Sequence, residues 1–155
     1  MKRIVILTQY YPPESGAPAI RLSSMARELV KLGFDVRVLT GMPNYPYGRV
    51  ANGYEQKWTM REQIEGIPVR RSWLYAAAGR GALKRIANYL SFTATASLSL
   101  WTERDIDLVF VEAQPITLAL PAFLRKLVVG TPYIYNTPDL QVEYATEARW
   151  AGRAL

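Results

Sequence analysis

"RIVILTQYYPPESGAPAIRLSSMARELVKLGFDVRVLT", residues Arg3 to Thr40, changes its hydrophobic period twice. Arg3 to Thr8 holds a continuous apolar run with β-branched residues, as a buried parallel strand does. From Pro18 the period becomes helical. Leu22, Met25, Ala26, Leu29 and Val30 fall on one side, and Arg21, Ser24, Arg27, Glu28 and Lys31 on the other. Pro18 suits a first helical turn, where its missing N–H costs nothing, and Gly33 suits the position just past the last turn. "FDVRVLT" then alternates as a second strand. Strand, helix and strand in this order predict a βαβ unit and hence a parallel sheet.

The pattern continues outward from that unit. Gly41 to Lys57, "GMPNYPYGRVANGYEQK", reads as a long loop with three tyrosines, ordered rather than disordered. "KWTMREQI" and "IPVRRSWLY" read as strands of an antiparallel hairpin turning at Glu65-Gly66. After the connector "AAAGRGALK", Leu83 to Trp101 reads as a helix. One of its stripes is Leu83, Ile86, Leu90, Ala94, Leu98 and Trp101, and Phe92, Ala96 and Leu100 make the far side apolar too. A helix apolar nearly all round is either buried or in contact with lipid, and both readings are open. "IDLVFVEAQP" is a further buried strand, stopped by Pro115. Ile116 to Val129 is a helix with Leu118, Leu120, Leu124, Leu127 and Val128 as its apolar set and with Arg125 and Lys126 exposed. "TPYIYNTPDL" is the last strand with its loop, and "VEYATEARWAGRAL" is helix-prone. The expected fold is α/β: a Rossmann-like open, mostly parallel sheet with helices on both faces and a β-hairpin insertion.

Composition narrows the chemistry. The 155 residues suffice for one domain, and 50% hydrophobic with 21% charged residues is ordinary for a globular chain. Cysteine is absent, which excludes disulfides and thiolate metal sites. Histidine is absent too, so acid–base work falls to Asp, Glu, Lys or Tyr. A net charge of +6 suits an anionic partner such as a nucleotide, a diphosphate or an acidic membrane surface, or is simply a basic surface. The apolar run Ile4 to Leu7 is too short for a signal peptide. Ile86 to Thr102 carries no charge, but it contains Asn88 and six Ser and Thr hydroxyls and is not read as spanning a membrane.

In such sheets ligands bind beyond the C-terminal ends of the strands. Gln9–Ala17, Gly41–Gly53, Glu112–Pro115 and Asn136–Glu143 all belong to that rim. The first of these has two prolines, with a third just beyond it at Pro18, and a single glycine, Gly16, and so fails the three-glycine dinucleotide fingerprint. It is either a stiff turn or a phosphate contact at a helix N-terminus. Asp139 is either a helix N-cap or, with Glu143, a carboxylate that orients or deprotonates a hydroxyl. Glu112 holds an equivalent topological position. "MPNYPYG" is either a lid that stacks on sugars or touches lipid, or a loop packed on its own tyrosines. Arg70, Arg71, Arg80, Lys84 and Arg85 are clustered basic residues, but no nucleic-acid motif accompanies them.

The stretch "LTQYYPPESGAPAIRLSSMARELVKLGFDVRVLTGMPNYPYG" resembles the start of bacterial GT-B glycosyltransferases of family 4, in particular the WbuB-like group of O-antigen, capsule and colanic acid biosynthesis. "RIANYLSFTATASLSL", "DLVFVEAQPITLALPAFLRK" and Asp139-Leu140 followed by Glu143 extend the likeness along the chain. The resemblance implies that residues 1–155 are the N-terminal, acceptor-side half of a GT-B fold, with the donor-binding domain lying outside them. It implies a retaining transfer from a nucleotide-sugar donor to a glycan on a polyprenyl diphosphate, without a metal or other cofactor. Residue by residue, Gly16 corresponds to a glycine that nears the donor diphosphate. Arg21, Asn44 and Tyr45 correspond to acceptor-side positions. Asp139 and Glu143 correspond to the acids of an Asp-Leu-Trp-Pro-Glu stretch that here reads "DLQVE". Where many relatives carry a histidine, this chain has Asn136. A cytoplasmic location with peripheral attachment to the inner membrane face through residues 80–101 follows, as does inactivity of this half by itself. The competing expectation is a non-catalytic nucleotide- or sugar-binding module. An oxidoreductase is disfavoured by the single glycine, and nucleic acid is not an expected partner.

Overall fold

The computed structural model describes residues 1–55, 57–76 and 81–138. Its elements are β1 (Arg3–Leu7), α1 (Ala17–Lys31), β2 (Asp35–Gly41), β3 (Thr59–Ile64), β4 (Ile67–Ser72), α2 (Ala82–Thr102), β5 (Leu108–Glu112), a 3-10 turn (Ile116–Leu118), α3 (Ala119–Val129) and β6 (Tyr133–Asn136). They build one six-stranded sheet in the order β3-β4-β2-β1-β5-β6. β1 pairs in parallel with β2 and β5, β2 with β4, and β5 with β6. Only β3 runs antiparallel, at the edge against β4. The hairpin is therefore half insertion and half sheet: β4 is a regular parallel strand, and β3 covers its outer edge. The result is the Rossmann-like architecture expected from the chain's periodicities.

The helices lie on both faces. Alternate residues of β1 point in opposite directions, so Val5 and Leu7 meet Phe92, Ala96 and Leu100 of α2, while Ile6 meets Leu22 and Ala26 of α1. Burying Phe92 or Leu100 in this way stabilises the fold by roughly 1.5–3 kcal/mol each. Gly33 has φ +86°, which a left-handed helix terminus requires and which glycine adopts without penalty. At the end of β2, a Cβ on Gly41 would lie 2.7 Å from Leu74 and 3.2 Å from the Gln9 carbonyl, so any larger residue there would have to displace the buried Leu74 side chain.

Two expectations about helix faces are corrected. In α3 the leucines point outward: Leu120, Leu124, Leu127 and Val128 are exposed, whereas Arg125 is buried. The inward face is instead Pro121, Ala122 and Arg125. Arg125 is buried because it has work there. Its guanidinium donates to the carbonyls of Leu100 (2.8 Å) and Glu103 (3.2 Å), and its Nε donates to the Thr131 hydroxyl (3.3 Å). Helix C-terminal carbonyls have no partners within the helix and attract positive charge. Arg70 attends the same end, donating to Thr102 Oγ1 (2.7 Å) and the Ser99 carbonyl (3.4 Å).

In α2 the buried set is Asn88, Phe92, Thr93, Ala96, Ser99 and Leu100. The stripe of Leu83, Ile86, Leu90, Ala94, Leu98 and Trp101 faces outward. The hydroxyls are absorbed locally: Ser97 and Thr102 bond back to carbonyls one turn earlier, and Ser99 meets Ser72 of β4 at 2.7 Å. Among the described residues no helix is long and apolar enough to cross a membrane.

Candidate functional site

The rim at the C-terminal ends of β1, β2, β5 and β6 is built around two carboxylates. The first is Glu14, in the loop after β1. It is buried, and its oxygens accept from the backbone N–H groups of Asn44 (2.9 Å), Tyr45 (2.9 Å) and Tyr11 (3.3 Å). One side chain thus fastens the β1–α1 loop to the loop after β2. Burial raises its carboxyl above the usual range, and the three backbone donors oppose that rise. No sequence motif marks Glu14, because its donors are main-chain groups; the one hint is an acid inside an otherwise apolar and proline-rich loop.

Beneath the same loops lies Arg71 of β4, fully buried. Its Nε donates to Glu62 Oε1 at 2.5 Å, its Nη1 to the Gly41 carbonyl at 3.0 Å, and its Nη2 to the Pro12 carbonyl. The Tyr54 ring covers it at 5.1 Å, and the Tyr54 hydroxyl donates to the other Glu62 oxygen. Arg71 therefore contributes nothing to a basic surface, and the grouping of Arg70 and Arg71 in one exposed cluster is corrected. Tight packing here also buries the Tyr11 phenol, whose hydroxyl has no hydrogen-bond partner among the described residues and is pushed up to about 12 by desolvation.

The second carboxylate is Glu112, at the end of β5, with its side chain wholly buried. It accepts from Arg21 Nη2 of α1 at 2.6 Å and from Asn136 Nδ2 of β6 at 2.9 Å. Both oxygens are thus committed, and the Arg21 guanidinium, about half exposed, is held at the rim with its other N–H groups unspent among the described residues. Gln9, just past the end of β1, donates to Asn88 Oδ1 of α2 (2.7 Å) and keeps a buried Oε1 without a hydrogen-bond partner among the described residues.

Gly16 is the N-cap of α1, with φ −68° and ψ 154°. No side chain caps this terminus and no acid occupies its first turn, so its N–H groups and partial positive charge face the rim. Nothing in that backbone conformation requires glycine. A Cβ there would make ordinary contact with the Tyr45 ring at 3.6 Å. Tyr45 is exposed and meets Tyr10 edge-on at 6.0 Å. Asn44 does not face the cleft. Its side chain is buried and donates to the Met42 carbonyl at 3.0 Å, because the loop turns it inward. Of the residues singled out from the sequence, Gly16, Arg21 and Tyr45 meet on one rim, and Asp139 and Glu143 lie outside the described residues. Asn136 and Glu14 lie in loops that the sequence placed on the rim, but their contacts with Glu112 and with the loop after β2 were not foreseen.

Comparison with known proteins bears on what this rim does. No curated protein matches the chain. Among solved structures, the catalytic domain of starch synthase IV from Arabidopsis thaliana, bound to ADP and acarbose, is similar at 12% identity and TM-score 0.61, covering 86% of this chain and 33% of that one. Sucrose-phosphate synthase from Thermosynechococcus elongatus is similar at 12% identity and TM-score 0.58, covering 92% and 34%. The C-terminal domain of PF1911 hydrogenase from Pyrococcus furiosus is similar at 17% identity and TM-score 0.53, covering 88% and 91%. These likenesses concern the fold, and the chain spans about a third of the length of the two sugar-transferring enzymes. The model of the glycosyl transferase 4-like domain matches residues 16–155, nearly the whole chain, from the first residue of the α1 cap onward. The chain belongs to the family of glycosyl transferase 4-like domains.

Proposed function

We propose that residues 1–155 form the acceptor-side domain of a retaining glycosyltransferase. It would move a sugar from a nucleotide-sugar to a lipid-linked glycan in cell-surface polysaccharide assembly. The observation that carries this reading is the rim itself: an uncapped helix N-terminus at Gly16, a guanidinium held by buried Glu112, and the exposed Tyr45 ring. In this reading the donor diphosphate approaches the α1 N-terminus across a cleft, where free N–H groups receive it. Glycine at position 16 leaves the Tyr45 ring as the nearest obstacle. The donor is held mainly by a second domain outside these residues.

The acceptor meets Arg21 and Tyr45. Glu112 fixes the direction of Arg21, so the guanidinium is oriented before the acceptor arrives. Asn44 acts through the shape of its loop, which Glu14 clamps. Asp139 and Glu143 orient or deprotonate the attacking hydroxyl, and the leaving phosphate assists on the same face of the sugar. No metal is required by this scheme. The outward stripe of α2, behind Arg85, suits the inner face of an anionic membrane, where a polyprenyl-linked acceptor resides.

The test uses the full-length protein with labelled nucleotide-sugars and a polyprenyl-diphosphate-linked acceptor. Transfer with the donor's anomeric configuration kept is expected, and Arg21→Gln should raise the acceptor KM more than it lowers kcat. Absence of transfer from every nucleotide-sugar, or inversion of the anomer, overturns the reading.

A further inference from the structure

A polar cavity lies on the sheet away from the Gly16 rim. It encloses about 560 Å³ beneath the C-terminus of α2, a size suited to a small ligand. Five arginines line it: Arg3, Arg37, Arg61, Arg70 and Arg104. The strand register explains how they meet. Val5 pairs with Arg37, Leu39 with Arg70, and Arg70 with Arg61, so these side chains share the α2 face of the sheet. β1 advances about 3.3 Å per residue, so Arg3 in this cavity lies roughly 13 Å along the strand from Leu7, where the rim begins.

Three carboxylates also line the cavity, Glu62, Glu103 and Asp105. Glu62 is spent on Arg71 and Tyr54. Glu103 lies between Arg37 (3.1 Å) and Arg70 (3.5 Å). Asp105 is exposed and reaches Arg3 only at 3.7 Å. Positive charge therefore remains in excess. Part of it is structural: Arg3 pairs with Asp35 at 2.6 Å, and Arg70 serves the α2 terminus. Two features have no such account. Arg61 stands directly opposite Arg70 across an antiparallel pair, where like charges destabilise. Among the described residues no hydrogen bond or ion pair involves its side chain. The Nε of Arg37 is buried and has no hydrogen-bond partner among the described residues, its nearest carboxylate being Asp35 at 3.9 Å.

We propose that this cavity binds a phosphate-bearing small molecule, a phosphomonoester or a diphosphate, at a place separate from the sugar-transfer rim. Arg61 and Arg70 supply a paired guanidinium clamp, and Arg37 supplies the buried donor. A phosphate between Arg61 and Arg70 removes their repulsion, and its oxygens match the fork geometry of guanidinium groups. Occupancy there would couple to the rim through β4, since Arg70 lies next to Arg71, which holds the Pro12 and Gly41 carbonyls.

The experiment titrates inorganic pyrophosphate into the full-length protein by calorimetry, comparing wild type with Arg61→Gln, Arg37→Gln and Arg21→Gln. A parallel arm measures sedimentation with phosphatidylglycerol vesicles. Arg61 is exposed, so its variant should fold, as circular dichroism checks. A saturable pyrophosphate component weakened about tenfold or more in Arg61→Gln and Arg37→Gln, and kept in Arg21→Gln, supports the site. Vesicle binding that depends on Arg61 alongside this component supports it too, with a lipid headgroup as the source. The proposal is overturned if Arg61→Gln titrates like wild type, or if the component vanishes in Arg21→Gln instead.

Discussion

Replacing Arg71 by Met tests the coupling between sheet and rim most directly. The native guanidinium is fully buried and holds Glu62, the Gly41 carbonyl and the Pro12 carbonyl at once. Methionine keeps much of the stem's packing and removes every bond. Removing one partner of a buried ion pair costs about 3–5 kcal/mol, because the other charge stays behind. The Glu62 side chain retains 18% exposure and so regains some water, which places the loss near the low end, about 3 kcal/mol. That is a large share of a typical stability of roughly 5–15 kcal/mol. With a urea slope of about 2 kcal/mol per molar, the unfolding midpoint should fall by about 1.5 M. Adding Glu62→Leu removes the stranded carboxylate and should restore part of the loss, a coupling of about 1–3 kcal/mol. Urea unfolding followed by tryptophan fluorescence measures both. A midpoint within about 0.3 M of wild type, or strictly additive effects in the double variant, refutes the claim that this arginine is a buried strut.

Three more outcomes follow from the packing and the rim. Arg125→Leu removes the donors to the Leu100 and Glu103 carbonyls and should cost about 2–3 kcal/mol in urea unfolding, whereas Lys126→Leu, one residue away, should change little. Glu14→Gln should change the pH dependence of stability. Burial raises the folded carboxyl above 4.5, so the folded state holds its proton more tightly and the group's contribution is greatest at low pH. The wild-type advantage over Glu14→Gln should therefore shrink as pH rises from about 4.5 through that raised value, and a flat or growing difference contradicts the burial argument. Glu112→Gln should keep the fold yet free Arg21, lowering kcat/KM for the acceptor by about tenfold, with Glu112→Asp partly rescued; equal activity in all three would make the pair purely structural.

The strands and α1 were legible because their hydrophobic periods are unambiguous and their ends carry proline and glycine where physics wants them. α2 and α3 were legible as helices but not in orientation. Both have apolar residues on more than one side, and periodicity alone does not say which side turns inward. Arg125 misled for a specific reason: charge argues for exposure unless carbonyl partners wait inside, and those partners, Leu100 and Glu103, belong to another helix. The rim was partly legible. Gly16 follows from a strand–helix junction and Glu112 from its place at a strand end, whereas Arg21 came only with the family resemblance. Their assembly was not, since Arg21 and Glu112 stand 91 residues apart. Glu14 was invisible because main-chain donors leave no trace in the sequence.

The grip of Arg125 has a mechanical consequence. Its bonds reach two carbonyls and a hydroxyl at fixed spacing, so α3 cannot creep along α2 by even one residue, about 1.5 Å, without breaking them. The outward leucines of both helices therefore keep a constant mutual spacing. Whatever meets that face encounters a stiff tile, and any tilting of it is passed as a unit to β5 and the strand ends beneath.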